Sequence, residues 1–143
     1  MAVEPEIHVR HSGTVRFPSY KRDGAVLVPV EAEGTLPFPM RRVYFTTNLG
    51  SSPARGGHAH RKADQVIACV KGSFELVLDD GENTQTIILS DPTLGIRLGP
   101  SLWSTLKNFS EDCVIIVYAD RPNDEKDYIR SYDDFLAFIG KKP

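Results

Sequence analysis

The chain has 143 residues, 41% of them hydrophobic and 25% charged, which suits a globular protein with one core and a single domain over 1–143. Seventeen basic against nineteen acidic side chains leave a formal charge of −2 without a long run of either sign, which argues for a small ligand rather than nucleic acid or a membrane surface. The longest apolar run, "CVIIVYA" at 113–119, is too short to cross a bilayer, and "MAVEPEIHVR" lacks the apolar stretch of a signal peptide, so a cytoplasmic protein is expected.

From about Thr14 to Tyr118 the chain alternates short β-branched or two-periodic segments with Gly, Pro, Asp and Asn, the rhythm of an all-β sandwich or barrel. In chain order the predicted strands are "AVLVPVEA" (25–32), "RRVYFTT" (41–47), "DQVIACVKG" (64–72), "SFELVLDD" (73–80), "QTIILS" (85–90), "LGIRLG" (94–99) and "DCVIIVYA" (112–119). Phe74, Leu76 and Leu78 share one strand face, and the turn "DDGEN" predicts a hairpin between 73–78 and 84–89. Cys69 and Cys113 lie in apolar strands without ligand spacing and read as buried free thiols. The end alone looks helical: Phe135, Leu136, Phe138 and Ile139 follow an N-cap at Ser131 and precede a stop at Gly140, predicting a helix that covers one end of the barrel.

Two of the four histidines, His58 and His60, stand one residue apart in "RGGHAHRKADQ" at 55–65. Residues two apart on a strand share a face, so both imidazoles are expected to project into one space. Four readings of the pair compete: a chance His-x-His in a loop, a metal site with a nearby carboxylate, acid and base catalysis near neutral pH, and plain ligand binding.

The Gly, His-x-His and following Gly72 are similar to the first motif of cupins, the small jelly-roll β-barrels. Cupin metal sites add a glutamate five residues after the second histidine and another histidine on a later strand. Here the first position is Gln65, and "GPSLWSTLKNFS", which resembles the second motif, has no histidine; His8 and His11 lie near the N-terminus. Two imidazoles alone hold a metal weakly, so no metal is expected.

A narrower resemblance spans nearly the whole chain. "PFPMRRVYF", "RGGHAHRKADQVIACVKGSFELVLDDG", "LGPSLWSTLKNFSEDCVIIVYAD" and "DEKDYIRSYDDFLAFI", in this order and spacing, resemble the sugar 3,4-ketoisomerases that act on dTDP-linked 4-keto-6-deoxyhexoses, WxcM-like cupins related to the RmlC epimerases. The resemblance implies a cupin barrel with a short C-terminal helix, a homodimer, no cofactor, and a place in deoxysugar synthesis for surface polysaccharides or antibiotics. It implies moving a ketone from C4 to C3 through an enediol, with His60 as base at C3, His58 as its partner in proton relay or in polarising an oxygen, the two roles exchangeable between the histidines on sequence alone, and Tyr44 as phenolic donor. Arg55 is then expected to meet the diphosphate, with Arg97 and Lys107 as further phosphate candidates. Trp103 is a candidate to pack over the sugar or nucleotide or to fill the barrel mouth, Gln65 to bond a sugar hydroxyl or orient an imidazole, and Ser104 to pass a proton through water. The chain departs from the family pattern at Phe45, where a second tyrosine is expected, and at Ser104, where many relatives carry histidine. A deoxysugar epimerase, a non-catalytic sugar-nucleotide binder and a metal-dependent oxygenase are the alternative functions.

Overall fold

The computed structural model describes residues 4–141. Two five-stranded antiparallel sheets face each other, and the strands run β1 (Ser12–Arg16), β2 (Tyr20–Arg22), β3 (Ala25–Leu27), β4 (Arg42–Thr46), β5 (Arg55–His60), β6 (Gln65–Lys71), β7 (Phe74–Asp79), β8 (Thr84–Leu89), β9 (Leu94–Leu98), β10 (Trp103–Lys107), β11 (Val114–Ala119) and β12 (Tyr128–Ile129). The first sheet has the order β1-β9-β6-β11-β4 and the second β12-β5-β10-β7-β8, while β2 and β3 form a separate hairpin. This is the cupin jelly roll that the resemblance implied.

The core lies between the sheets. Phe74, Leu76 and Leu78 project inward from β7 and meet Ile67, Cys69, Ile96, Ile115 and Val117 from the first sheet. Each fully buried side chain of this kind contributes about 1.5–3 kcal/mol. The unbroken apolar run of β6 has a second cause. Its outward residues Val66 and Ala68 are covered by Phe17 and Leu36, with Val28 and Val30 packed alongside. A strand buried on both faces reads as a continuous hydrophobic stretch.

The predicted hairpin forms as β7–β8, pairing Phe74 with Leu89 and Asp79 with Thr84. Asp80 closes its turn, accepting hydrogen bonds from the backbone N–H of Glu82 at 2.8 Å and of Asn83 at 2.7 Å. The predicted strand at 25–32 is shorter than expected: only Ala25–Leu27 pairs, and with β2 alone. Asp23 and Gly24 both have positive φ in the intervening two-residue turn, and Pro29 has no N–H to extend a ladder.

The C-terminal helix α1 (Tyr132–Phe138) is capped by Ser131, whose side chain accepts from the Asp134 N–H at 3.3 Å. It does not cover a barrel end. Phe135 packs with Ala59, Ile129 and Trp103 on the outer face of the second sheet, directly behind β5. The apolar stripe of the helix thus meets alanine and aromatic partners on that face. No helix among the described residues is long and apolar enough to cross a membrane. Cys69 and Cys113 are buried free thiols; burial pushes the Cys69 thiol up to about 12.

Candidate active site

The two glycines before the histidines are explained by the pairing of β5 with β10. Ser104 lies opposite His58 and Thr105 opposite Gly56, so Gly57 is an extra residue and the strand bulges there. Both glycines have positive φ, and a Cβ on Gly56 would lie 3.0 Å from the Ser104 carbonyl oxygen. Beyond the bulge the strand alternates, with Ala59 behind and His58 and His60 in front. Their rings stand edge to face, 5.1 Å between centroids.

His58 lines a cavity of about 130 Å³ together with Tyr44, Thr46, Arg55, Gln65 and Ser104, above an apolar floor that includes Ile67, Leu98 and Val117. His60 does not line that cavity. It opens into a smaller adjoining recess with Arg42, Asp127 and Tyr128, and Gln65 lines both spaces. The expectation of one shared space is refined accordingly: the imidazoles are neighbours, but each lines a different recess. Tyr128 lies opposite His60 in the β12–β5 register, so the two face the same side. Its ring centroid is 4.5 Å from that of His60 and 5.1 Å from that of His58, closing a triangle of rings.

His60 is held from behind by a carboxylate. Its Nδ1 lies 3.0 Å from Asp127 Oδ2, and Asp127 also accepts from the backbone N–H of Lys62 at 2.7 Å and of Ala63 at 3.1 Å. Burial works against ionising Asp127, but the bonds from His60, Ala63 and Lys62 outweigh it and hold its pKa below the usual value. An ionised carboxylate only accepts, so Nδ1 carries the proton and Nε2 keeps its lone pair. That Nε2 is buried and has no hydrogen-bond partner among the described residues.

Both imidazoles stay neutral near pH 7. Burial lowers the pKa of His58 to about 4, helped by the neighbouring His60 and Arg130. Burial lowers that of His60 as well, against the opposing pull of Asp127. Tyr44 is raised, first by burial and then by Tyr128, while Arg42 and a hydrogen bond with Gln65 work in the other direction.

Among the expected site residues, Tyr44, Arg55, Gln65, His58 and Ser104 come together at the larger cavity. Three others lie elsewhere. Arg97 alternates with the inward Ile96 and Leu98, points to the opposite face of β9 and forms a two-pronged ion pair with Asp64 at 2.9 and 3.0 Å. Trp103 packs against Tyr132 and Phe135, so it anchors the helix rather than a sugar or the barrel mouth. Lys107 is on the same outward side of β10, exposed and opposite Glu75. Phe45 also points outward, 69% exposed, so a hydroxyl there would not reach the histidines. The residues not foreseen are Asp127, Tyr128, Arg42 and Thr46. Among the described residues no three His, Cys, Asp or Glu side chains converge to hold a metal ion.

Comparison with known proteins agrees with this geometry. A TDP-4-oxo-6-deoxy-alpha-D-glucose-3,4-oxoisomerase from Aneurinibacillus thermoaerophilus is 43% identical over 115 residues, 80% of this chain and 83% of that protein. The QdtA 3,4-ketoisomerase of Thermoanaerobacterium thermosaccharolyticum, solved as a histidine-to-asparagine variant with TDP-4-keto-6-deoxyglucose, superimposes with a TM-score of 0.87 at 32% identity, covering 91% of this chain and 94% of that one. A 3,4-ketoisomerase from Helicobacter canadensis has the same TM-score of 0.87 and 32% identity, over 94% of this chain and all of that one. The family described as FdtA: WxcM-like, C-terminal, matches residues 10–140, and this chain belongs to it.

Proposed function

We infer that the protein is a sugar 3,4-ketoisomerase, converting a dTDP-linked 4-keto-6-deoxyhexose to its 3-keto isomer. The observation that carries this reading is the Asp127–His60 pair, which leaves a buried, unpaired Nε2 lone pair beside a second neutral imidazole.

The C3 proton of a 4-ketose is acidic because the adjacent carbonyl takes up the electron pair. His60 Nε2 removes that proton, the C3–H electrons form the C3–C4 double bond, and the C4 oxygen is protonated to give an enediol. The C3 hydroxyl then loses its proton, C3 becomes the ketone, and C4 takes a proton on carbon. The sum is an isomerisation that consumes no oxidant or reductant. A positioned general base contributes about 10²–10⁴ in rate. The imidazolium formed on His60 is stabilised by the ionised Asp127 on its far side. His58, with its low basicity, is suited to passing protons between the two sugar oxygens, and Tyr44 to donating to the developing oxyanion. Ser104, opposite His58, is assigned to a relayed proton through water. Arg55, at the exposed lip of the cavity, is assigned to the diphosphate, which guanidinium meets with paired hydrogen bonds.

The same reading takes residues 1–143 as one domain of a cytoplasmic homodimer. Phe45, Val43 and Val70, exposed on the outer face of the first sheet, support self-association.

Incubation with dTDP-4-keto-6-deoxyglucose in deuterated water, followed by NMR, tests the reaction. The expected product has its ketone at C3 and deuterium at C4. A ketone that stays at C4 with deuterium at C3 would instead indicate an epimerase, and unlabelled, unchanged sugar would overturn both.

A further inference from the structure

Asn123, in the loop before β12, touches neither histidine, yet its side-chain oxygen accepts two hydrogen bonds. One comes from the Tyr128 hydroxyl at 3.0 Å and the other from Arg42 Nη1 at 3.3 Å. A guanidinium can only donate, which assigns the oxygen of the amide to this position, and the Tyr128 hydroxyl donates to the same atom. Each partner leads to the proposed catalytic centre. Tyr128 packs its ring on His58 and His60, and Arg130 lies over the same ring at 4.2 Å. Arg42 stacks on Tyr44, its Cζ 4.5 Å from the ring centroid. Asn123 therefore bonds one phenol directly and, at the same atom, the guanidinium that lies over the other.

We infer that Asn123 is a positioning residue that holds Arg42 against Tyr44 and Tyr128 against the histidine pair, giving the two phenols unlike tasks in proton transfer. The inference deepens the isomerase reading and rests on it. The chemistry follows from the direction of each bond. Tyr128 gives its only hydroxyl proton to Asn123, so toward a sugar it presents lone pairs and acts as an acceptor. Tyr44 carries its own proton, its pKa raised by burial, and the guanidinium on its ring face pulls in the opposite direction, so loss of that contact raises it further. Without Asn123, Tyr128 is free to turn its proton inward and Arg42 loses its tether.

The groups around Tyr44 define what a titration reads: Arg42 on its own strand, Gln65 on β6, Arg55 and His58 on β5 in the same cavity, and His60, Tyr128, Arg121, Asp124 and Asp127 in the neighbouring recess. The test is an ultraviolet titration of tyrosinate in the resting protein, with the Tyr44→Phe spectrum subtracted to isolate the Tyr44 signal. Asn123→Leu is expected to move that signal upward by about half to one pH unit and to carry the alkaline limb of kcat with it. It should lower kcat about five- to tenfold with KM held within about twofold. Arg42→Met is expected to reproduce the Tyr44 shift, and the double variant to shift no further, because the two act through one contact. An unmoved Tyr44 titration in Asn123→Leu, or additive shifts in the double variant, would overturn the proposal. Asn123 is exposed, so its replacement leaves the core intact, and the titration needs no turnover. It therefore fails independently of the isomerase assignment.

Discussion

Asp127 and His60 are 67 positions apart in the chain and 3.0 Å apart in space, joined by a hydrogen bond that fixes which ring nitrogen carries the proton. Asp127→Asn keeps the shape and removes the charge. The amide can turn its N–H toward the ring and force the proton onto Nε2, so kcat should fall on the order of a hundredfold with KM little changed. Steady-state kinetics with the dTDP-4-keto sugar would check this. A variant with wild-type kcat would mean that the carboxylate serves the Lys62 and Ala63 backbone only.

Replacing His60 with Asn separates chemistry from binding. Affinity for dTDP, measured by calorimetry, should hold within about twofold while turnover drops on the order of a hundredfold or more. Loss of dTDP binding together with turnover would instead place His60 in nucleotide recognition.

Acid should destabilise the fold through the buried imidazoles. The folded-state pKa of His58 is about 4, below its ordinary value, so the native state favours the neutral ring. Folding stability from this group is fully present above the ordinary histidine pKa of about 6.5 and is lost as pH falls toward 4. The loss should be on the order of 2 kcal/mol, allowing for partial solvent access. Urea midpoints measured between neutral and acid pH should fall in the wild type and fall less in His58→Gln. Equal slopes in the two proteins would contradict the assignment.

Arg55 and Arg97 should behave oppositely although both are arginines near "GG" or "LG" turns. Arg55→Ala should weaken dTDP binding about tenfold or more through the lost charge-assisted bonds. Arg97→Ala breaks the pair with Asp64 and should leave the dTDP dissociation constant within about twofold. A reversal of these two effects would return Arg97 to the ligand.

Trp103→Ala tests the packing role. Stability should drop by about 2–3 kcal/mol as Phe135 and Tyr132 lose their partner. The urea midpoint reports that cost, and dTDP affinity of the folded fraction should not change.

How much of this was legible in sequence depended on distance along the chain. The β7–β8 hairpin and the shared face of His58 and His60 follow from two-residue periodicity and a local turn, so both could be read. The same periodicity also carried a signal that the charge pattern obscured: in "LGIRL" the apolar residues Leu94, Ile96 and Leu98 turn Arg97 outward, and in "WSTLK" the inward Leu106 places Trp103 and Lys107 behind. Gly57 defeats any simple count, because its bulge resets the register within β5. Asp127 stood among Asp124 and Glu125 with nothing local to single it out. Only pairing of β12 beside β5 brings Asp127 and Tyr128 to the histidines, and that pairing is a property of the whole barrel.

The strand bearing the histidines is gripped from both sides by one late stretch of chain. Asp127 and Tyr128 meet its front, while Ile129 and Phe135 press on Ala59 at its back. A polypeptide released before these residues are made would have the barrel's first eleven strands but no carboxylate to orient His60. Synthesis of the final score of residues is thus the step that arms the protein, and no fragment ending earlier should consume substrate.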